Sequence, residues 1–319
     1  HFPEAHLVWL VEKTAAALIR EHRALDDVIQ LEVGWSESLS RLRTTARMIR
    51  SHNFDVMIDC EGTTRSGYLG WLAAISQRIG FSRPHSNFLN RCFNTEQVNS
   101  VFDHLTDRSL ELLIPMGIHS PKVRWHLPIP AAARRWATSW TRNSPNPKLA
   151  VLDPGSGLIS KHWDAANFAK LACHLRSAYQ YRSIIGWSTE AEREFANRIV
   201  EQSRCSASLA PHTDLQHLAA LLEQSHLFVS GDIEPLHVSV ALGTPTINLH
   251  AATTDRNCDT YRQLTLQSGG DEESSHGSSS PGHRSGRKRK RQTSHAITFE
   301  RVCDAVAEIE SKQRLLRAS

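Results

Sequence analysis

Short apolar runs alternate with stretches of 3.6-residue period through both halves of the chain, which predicts strand and helix in turn. The opening residues run straight into a strand ending at Val11, helical period follows at 12–23, and Val28–Leu31 reads as a strand before a helix at 37–51. Phe54–Asp59 reads as a buried strand, with a helix from Arg65 to Ser76 after it and another over 97–116, ending before Gly117. The Pro- and Trp-containing stretch near 121–147, closing in Asn143-Ser-Pro-Asn-Pro147, is the best linker.

A second alternating block follows. Leu149–Leu152 and Ser183–Ile185 read as strands, 164–177 and 189–203 as helices, and Ser208–Ala210 precedes a helix at 214–223. Strands alternating with helices in both halves predict two α/β domains with parallel sheets, residues 1–140 and 148–319. A doubly wound domain usually opens with a strand, a Gly-rich loop and a helix before a strand like the first one here, so the amino-terminal domain is read as truncated. Residues 265–294 break the pattern: a Ser/Gly-rich stretch and a basic run have too few apolar residues to order themselves. They are read as a disordered insert, either an idiosyncratic loop or the product of a frameshift. Structure is predicted to resume at Ala296–Val302, with Thr298 as N-cap.

Residues 228–249 are the most informative stretch. Phe228-Val-Ser-Gly-Asp232-Ile233-Glu234-Pro-Leu-His237 is an apolar run ending in an acidic turn and a histidine; a small-residue segment, Gly243-Thr-Pro and a β-branched run follow. This reads as one βαβ unit with its loop at the carboxyl edge of a parallel sheet, where ligands sit and a helix amino end offers N–H groups to an anion. A second turn, Leu152-Asp-Pro-Gly155-Ser156-Gly157-Leu-Ile-Ser-Lys161-His-Trp163, pairs close backbone approach with a hydroxyl and a mobile positive charge. That suits the diphosphate of a nucleotide sugar, without Walker spacing. A polar turn with a solvated lysine would look the same if this stretch stood alone. Glu192, at the start of the helix after the next strand, is placed to hold a ribose; a helix-start carboxylate favoured by the macrodipole is the competing explanation. For His237, a buried structural histidine is the alternative.

Composition narrows the class. With 319 residues, 40% apolar and 22% charged, the chain is that of a soluble globular protein with room for two cores. No apolar run approaches the ~20 residues needed to span a bilayer. Six scattered cysteines without metal-ligand spacing fit reduced thiols in a cytoplasmic protein. The net charge of +4 is carried by Arg287-Lys-Arg-Lys-Arg291 alone, so no basic surface is implied elsewhere and no nucleic-acid partner is expected.

Together these motifs resemble glycosyltransferase family 9, the ADP-heptose:lipopolysaccharide heptosyltransferases, over nearly the whole chain except 265–294. The strongest piece is Asp232 to Pro245, similar to the family's D-T-G-P-x-H-x-x-x-A-L-G-T-P. Supporting pieces are Phe2–Glu12, Phe54–Gly62 with Arg65-Ser66, Gly155-Ser-Gly with Lys161 and Trp163, and Glu192. The resemblance implies a GT-B fold, two Rossmann-like domains facing across a cleft, and inverting transfer of a heptose or similar sugar. It implies no cofactor and no metal. The donor would be a nucleotide sugar such as ADP-heptose. The acceptor would be a lipid-linked saccharide, with peripheral contact at the cytoplasmic membrane face. Ser156 and Lys161 would neutralise charge on the leaving diphosphate, Glu192 would hold the ribose, and the loop from Asp232 through Ile233 and Glu234 to His237 would present N–H groups to phosphate.

Two departures from the family pattern bear on activity. The family's catalytic base sits in a Gly-rich loop after the first strand, which this chain is read as lacking, so no catalytic residue is assigned. The family's Thr-Gly is Ile233-Glu234 here, placing a negative charge where the diphosphate approaches. A relative that binds nucleotide or a partner without turnover is therefore one alternative. A basic-tailed nucleic-acid or protein-interaction module is the other.

Overall fold

The computed structural model describes residues 2–141, 148–155, 163–231, 233–251, 264–268 and 297–318. The chain divides into two compact units, His1–Pro128 and Ile129–Ser319.

The first unit runs β1 (Val8–Glu12), α1 (Lys13–Ile19), β2 (Asp27–Leu31), α2 (Leu39–Arg50), β3 (Val56–Asp59), α3 (Thr64–Leu72), β4 (Gln77–Phe81), α4 (Phe88–Phe93), β5 (Glu96–Val98), α5 (Leu105–Glu111) and a 3-10 turn at Ile114–Met116. β1 pairs in parallel with β2, and β3, β4 and β5 form a second parallel sheet in that order. Leu10 of β1 and Met57 of β3 pack on one core, built from Leu31, Leu42, Ile49 and Leu69 on β2, α2 and α3.

Two helices predicted here are shorter than their apolar period suggests. The helix expected over 65–76 ends at Leu72, where Ala74 takes a left-handed φ of 59° and turns the chain into β4. Gln77-Arg-Ile-Gly-Phe has too few apolar residues to read as a strand alone. The stretch expected as a helix over 97–116 instead holds the end of β5, a loop, α5 and the 3-10 turn. Its loop is held by Glu111, whose carboxylate accepts from the Val101 N–H and the Ser100 hydroxyl.

At the end of β3 the carboxylate of Asp59, only 3% exposed, organises the turn into α3. One oxygen accepts the N–H groups of Glu61 and Gly62 at 3.0 and 3.2 Å. The other accepts the Ser66 hydroxyl at 2.9 Å and the Asn90 amide at 2.6 Å, tying α4 to the same point. Gly62 has a φ of 68°, and a Cβ there would lie 2.5 Å from the His85 carbonyl oxygen.

The second unit opens with α6 (Ala131–Thr141), a segment assigned in the sequence to the linker and the first domain. It packs on α9 (Leu215–Glu223) instead. Arg134 donates twice to Glu223 at 2.8 Å, and Thr141 donates to Gln224 at 2.7 Å. The boundary thus falls at 128/129, before this helix. The other elements are β6 (Lys148–Asp153), α7 (Ala165–Tyr179), β7 (Tyr181–Ile185), α8 (Glu190–Gln202), β8 (Ala207–Leu209), β9 (Leu227–Ser230), α10 (Ile233–Ala241), β10 (Thr246–Ala251), β11 (Leu264–Ser268) and α11 (Phe299–Ala318). β11 is a parallel partner of β10, so residues 265–268 are not part of a disordered insert as the composition suggested; 269–294 lie outside the described residues.

The six strands lie in the order β11-β10-β9-β6-β7-β8, all parallel. Central strands are continuous apolar runs with residues such as Val151, Leu152, Phe228 and Val229 fully buried, as a sheet covered on both faces requires. The chain winds outward from β6 to β8, then jumps back to β9 and winds the other way. That reversal places a topological switch point between β6 and β9.

Candidate functional site

The carboxyl ends of β6 and β9 meet at the switch point. Asp153 and Ser230 are partners in register, and the Ser230 hydroxyl donates to Asp153 Oδ2 at 3.4 Å. Asp153 Oδ1 accepts the Gly155 N–H at 3.1 Å, closing the start of the turn after β6. β7 ends beside them. The Gly186 N–H donates to the Leu152 carbonyl at 2.9 Å, and a Cβ on Gly186 would lie 3.6 Å from that of Asp153. Three loops therefore leave the sheet around one buried carboxylate.

The first leads to α7, whose amino end is fixed by Asp164 accepting from the Asn167 N–H at 2.8 Å. Trp163, fully buried, packs edge-on against Phe168 with ring centres 4.6 Å apart. Ser156 and Lys161 belong to the segment between these anchors and lie outside the described residues. Asp232 also lies outside them.

The third loop leads directly into α10. Ile233 begins the helix, Glu234 is exposed in its first turn, and His237 follows three residues later on the same face, also exposed. His237 is therefore not the buried histidine weighed as its alternative. The rest of the motif is structural. Gly243 takes a φ of 73° where α10 ends. Thr244 donates to the Leu222 carbonyl at 2.7 Å, and the Thr246 hydroxyl lies 2.8 Å from that of Ser239. These buried hydroxyls lock α10 against α9 and β10, which fixes where its amino end sits.

Glu192 lies in the first turn of α8, the helix after β7. Its Oε2 accepts the N–H groups of Ser188 and Thr189 at 2.7 and 3.2 Å while Thr189 caps the Glu192 N–H, a complete capping box. The helix-start role is thus realised. Beside it, Trp187 donates its indole N–H to the Ala210 carbonyl at 2.7 Å and lies edge-on to His212 at 5.2 Å.

Sequence reasoning passed over Asp153, Ser230 and Trp187. Asp153 and Ser230 each close a strand in front of a turn and Trp187 lies in the turn after β7; a strand-ending Asp before Pro-Gly is the one signal that could have drawn notice. Among the described residues no group of three His, Cys, Asp or Glu side chains could hold a metal ion.

The family model for glycosyltransferase family 9 (heptosyltransferase) matches residues 42–281. The chain belongs to glycosyltransferase family 9. It is accordingly a glycosyltransferase, an enzyme of the GT-B fold. Curated relatives agree. Lipopolysaccharide heptosyltransferase 3 of Escherichia coli is 21% identical over 268 residues, covering 79% of this chain and 76% of that protein. Lipopolysaccharide heptosyltransferase 1 of Pseudomonas aeruginosa is 22% identical over 288 residues, with 84% and 76% covered. Among solved structures, the family 9 glycosyl transferase from Veillonella parvula superposes with a TM-score of 0.71 at 22% identity, covering 83% of this chain and 77% of that one. E. coli heptosyltransferase WaaC with ADP gives 0.69 at 20% identity, covering 97% and 89%. No described helix of this family 9 chain is long and apolar enough to cross a membrane.

Proposed function

We propose that this family 9 enzyme transfers a heptose from ADP-heptose to a lipopolysaccharide-core-like saccharide, with inversion at the anomeric carbon. The observation that carries the reading is the convergence of three loops on Asp153 and Ser230 at the switch point, with the amino end of α10 locked beside them. A helix start and a Gly-rich turn at a parallel sheet's carboxyl edge form a ready anion site. ADP and ADP-2-deoxy-2-fluoro heptose occur with the similar E. coli WaaC.

In this reading the second unit holds the donor, on its residues from about 148 onward. Lys161 and Ser156 neutralise charge on the departing diphosphate, the electrostatic contribution that usually dominates such catalysis. The loop from Asp232 through Ile233 and Glu234 to His237 offers backbone N–H groups to phosphate. Glu192 accepts from ribose hydroxyls with the carboxylate oxygen that the capping box does not use. The amino-terminal unit takes the acceptor, a lipid-linked saccharide at the cytoplasmic face of the membrane. No residue is assigned as the base.

Calorimetry with ADP tests the donor site. Binding by the full chain, weakened about a hundredfold in Lys161→Ala through loss of a charge-assisted contact, supports the reading. Undiminished binding by that variant rejects it. One feature, exposed Glu234 in the first turn of α10, favours a second reading in which nucleotide binds without turnover. Mass spectrometry of a heptose-deficient acceptor incubated with enzyme and ADP-heptose separates the two.

A further inference from the structure

Helix α10 is held from its inner side, where Leu236, Val238, Ser239 and Val240 are all buried. Outward, its first turns present Glu234 and His237, both exposed. The run is Glu-Pro-Leu-His, and a separation of three residues puts the two Cβ atoms about 5–6 Å apart on one side of the helix. Glu-x-x-His is the spacing by which helical bundles bring a carboxylate and an imidazole to the same metal ion.

Glu234 has no cation of its own: no arginine or lysine among the described residues pairs with it. A carboxylate in the first turn of a helix is ordinary, because the dipole favours it. At the carboxyl edge of a parallel sheet it is a conflict, since it repels the anion that such an edge is built to hold. The helix cannot carry it away, with Thr244 bonded to the Leu222 carbonyl at 2.7 Å and the Ser239 and Thr246 hydroxyls 2.8 Å apart. The family pattern has glycine at this position, so the conflict belongs to this chain.

We propose that Glu234 and His237 bind a divalent cation that bridges them to the diphosphate of the nucleotide sugar. The ion turns a repulsive contact into an attractive one. Two side chains suffice, because such ions are commonly held by one or two protein groups while substrate phosphates and water complete the shell. That agrees with the absence, among the described residues, of any group of three ligands able to hold a metal unaided. Carboxylate and phosphate oxygens with one imidazole nitrogen suit manganese better than magnesium, which keeps to oxygen. The proposal rests on the donor reading and departs from the metal-free transfer that the family resemblance implies. During transfer the ion shares with Lys161 the charge gathering on the departing diphosphate.

The test is calorimetry of the full chain with ADP, once in EDTA and once in manganese(II) chloride. In EDTA only the repulsion acts, so Glu234→Gln binds more tightly than the parent. In manganese the order should invert. The parent's affinity should rise about tenfold more than that of Glu234→Gln or His237→Gln, the swing expected when a like-charge contact becomes an attractive one. Manganese pairs with free ADP equally in every sample, so the difference between parent and variants is the readout. Pulsed electron paramagnetic resonance of the parent with ADP and manganese should show coupling to phosphorus and to an imidazole nitrogen, the nitrogen vanishing in His237→Gln. Circular dichroism checks that both variants fold. Equal gains in all three chains, or phosphorus coupling alone in the parent, overturn the proposal and leave the donor reading standing. ADP that binds under neither condition removes both.

Discussion

Ser230 and Asp153 end adjacent strands in register, and the serine hydroxyl donates to a carboxylate that also accepts the Gly155 N–H. One buried side chain thus fixes the departure of two loops from opposite sides of the switch point. Asp153→Ala leaves a buried N–H and a buried hydroxyl without their acceptor, a loss of about 2 kcal/mol. Urea denaturation should register that loss, and ADP affinity should fall about tenfold as the two loop starts drift apart. Asp153→Asn, which retains acceptor oxygen, should lose much less. If ADP binds Asp153→Ala as tightly as the parent, the switch point does not organise the donor site.

Glu192 has two candidate employments that a pair of variants can separate. Its carboxylate closes the capping box of α8 with Thr189, so Thr189→Ala and Glu192→Ala should each destabilise the fold by about 1 kcal/mol. Only Glu192→Ala should also weaken ADP, because Thr189 has no place against a ribose. Equal ADP affinities for the two variants would leave Glu192 a cap and nothing more.

Glu234 sets helix stability against ligand charge. A carboxylate in the first turn of α10 favours the helix by about 0.3–1 kcal/mol, yet it repels a diphosphate at the same amino end. Two like charges about 4–5 Å apart cost roughly 1 kcal/mol in water and more when partly desolvated. Glu234→Gln should therefore bind ADP about fivefold more tightly at low salt while melting slightly earlier. The gain should shrink as salt is raised. Calorimetry at two ionic strengths checks both, and unchanged affinity at low salt would remove Glu234 from the diphosphate's surroundings.

The alternation of strand and helix was legible because Leu149–Leu152 and Leu227–Val229 are buried on both faces and therefore apolar throughout. β4 was not legible. Gln77 and Arg78 spend their side chains on Glu96 and on the Phe93 carbonyl, so a buried strand begins with two polar residues. The Asp232–Pro245 motif was readable as a unit but not by role: Gly243 and Thr244, with Thr246 just beyond the motif, shape the turn that anchors α10, whereas Glu234 and His237 face solvent at its start. Asp153 escaped because its importance lies in a partner 77 residues away, and no local pattern carries that pairing.

At the opposite edge of the sheet, Glu310 of α11 links the first residues of β6 and β7. It accepts from Lys148 at 2.6 Å and from the Tyr181 hydroxyl at 2.6 Å. Burial alone would push its carboxyl up. The hydrogen bonds from Lys148 and Tyr181 and the nearby positive charge outweigh that and hold it below its ordinary value of 4.5. A carboxyl depressed in the folded state binds its proton more readily when the chain unfolds, so its stabilising effect is complete above 4.5 and drains away as pH falls through the lower folded value. Glu310→Gln leaves Lys148 without its anion and should cost about 3 kcal/mol at pH 7. The gap between parent and variant in urea titrations should then narrow steadily below pH 4.5, because the parent is losing the interaction the variant never had. A gap that stays constant from neutral to acid pH would mean that α11 is held by its apolar contacts with α7 and β10 alone.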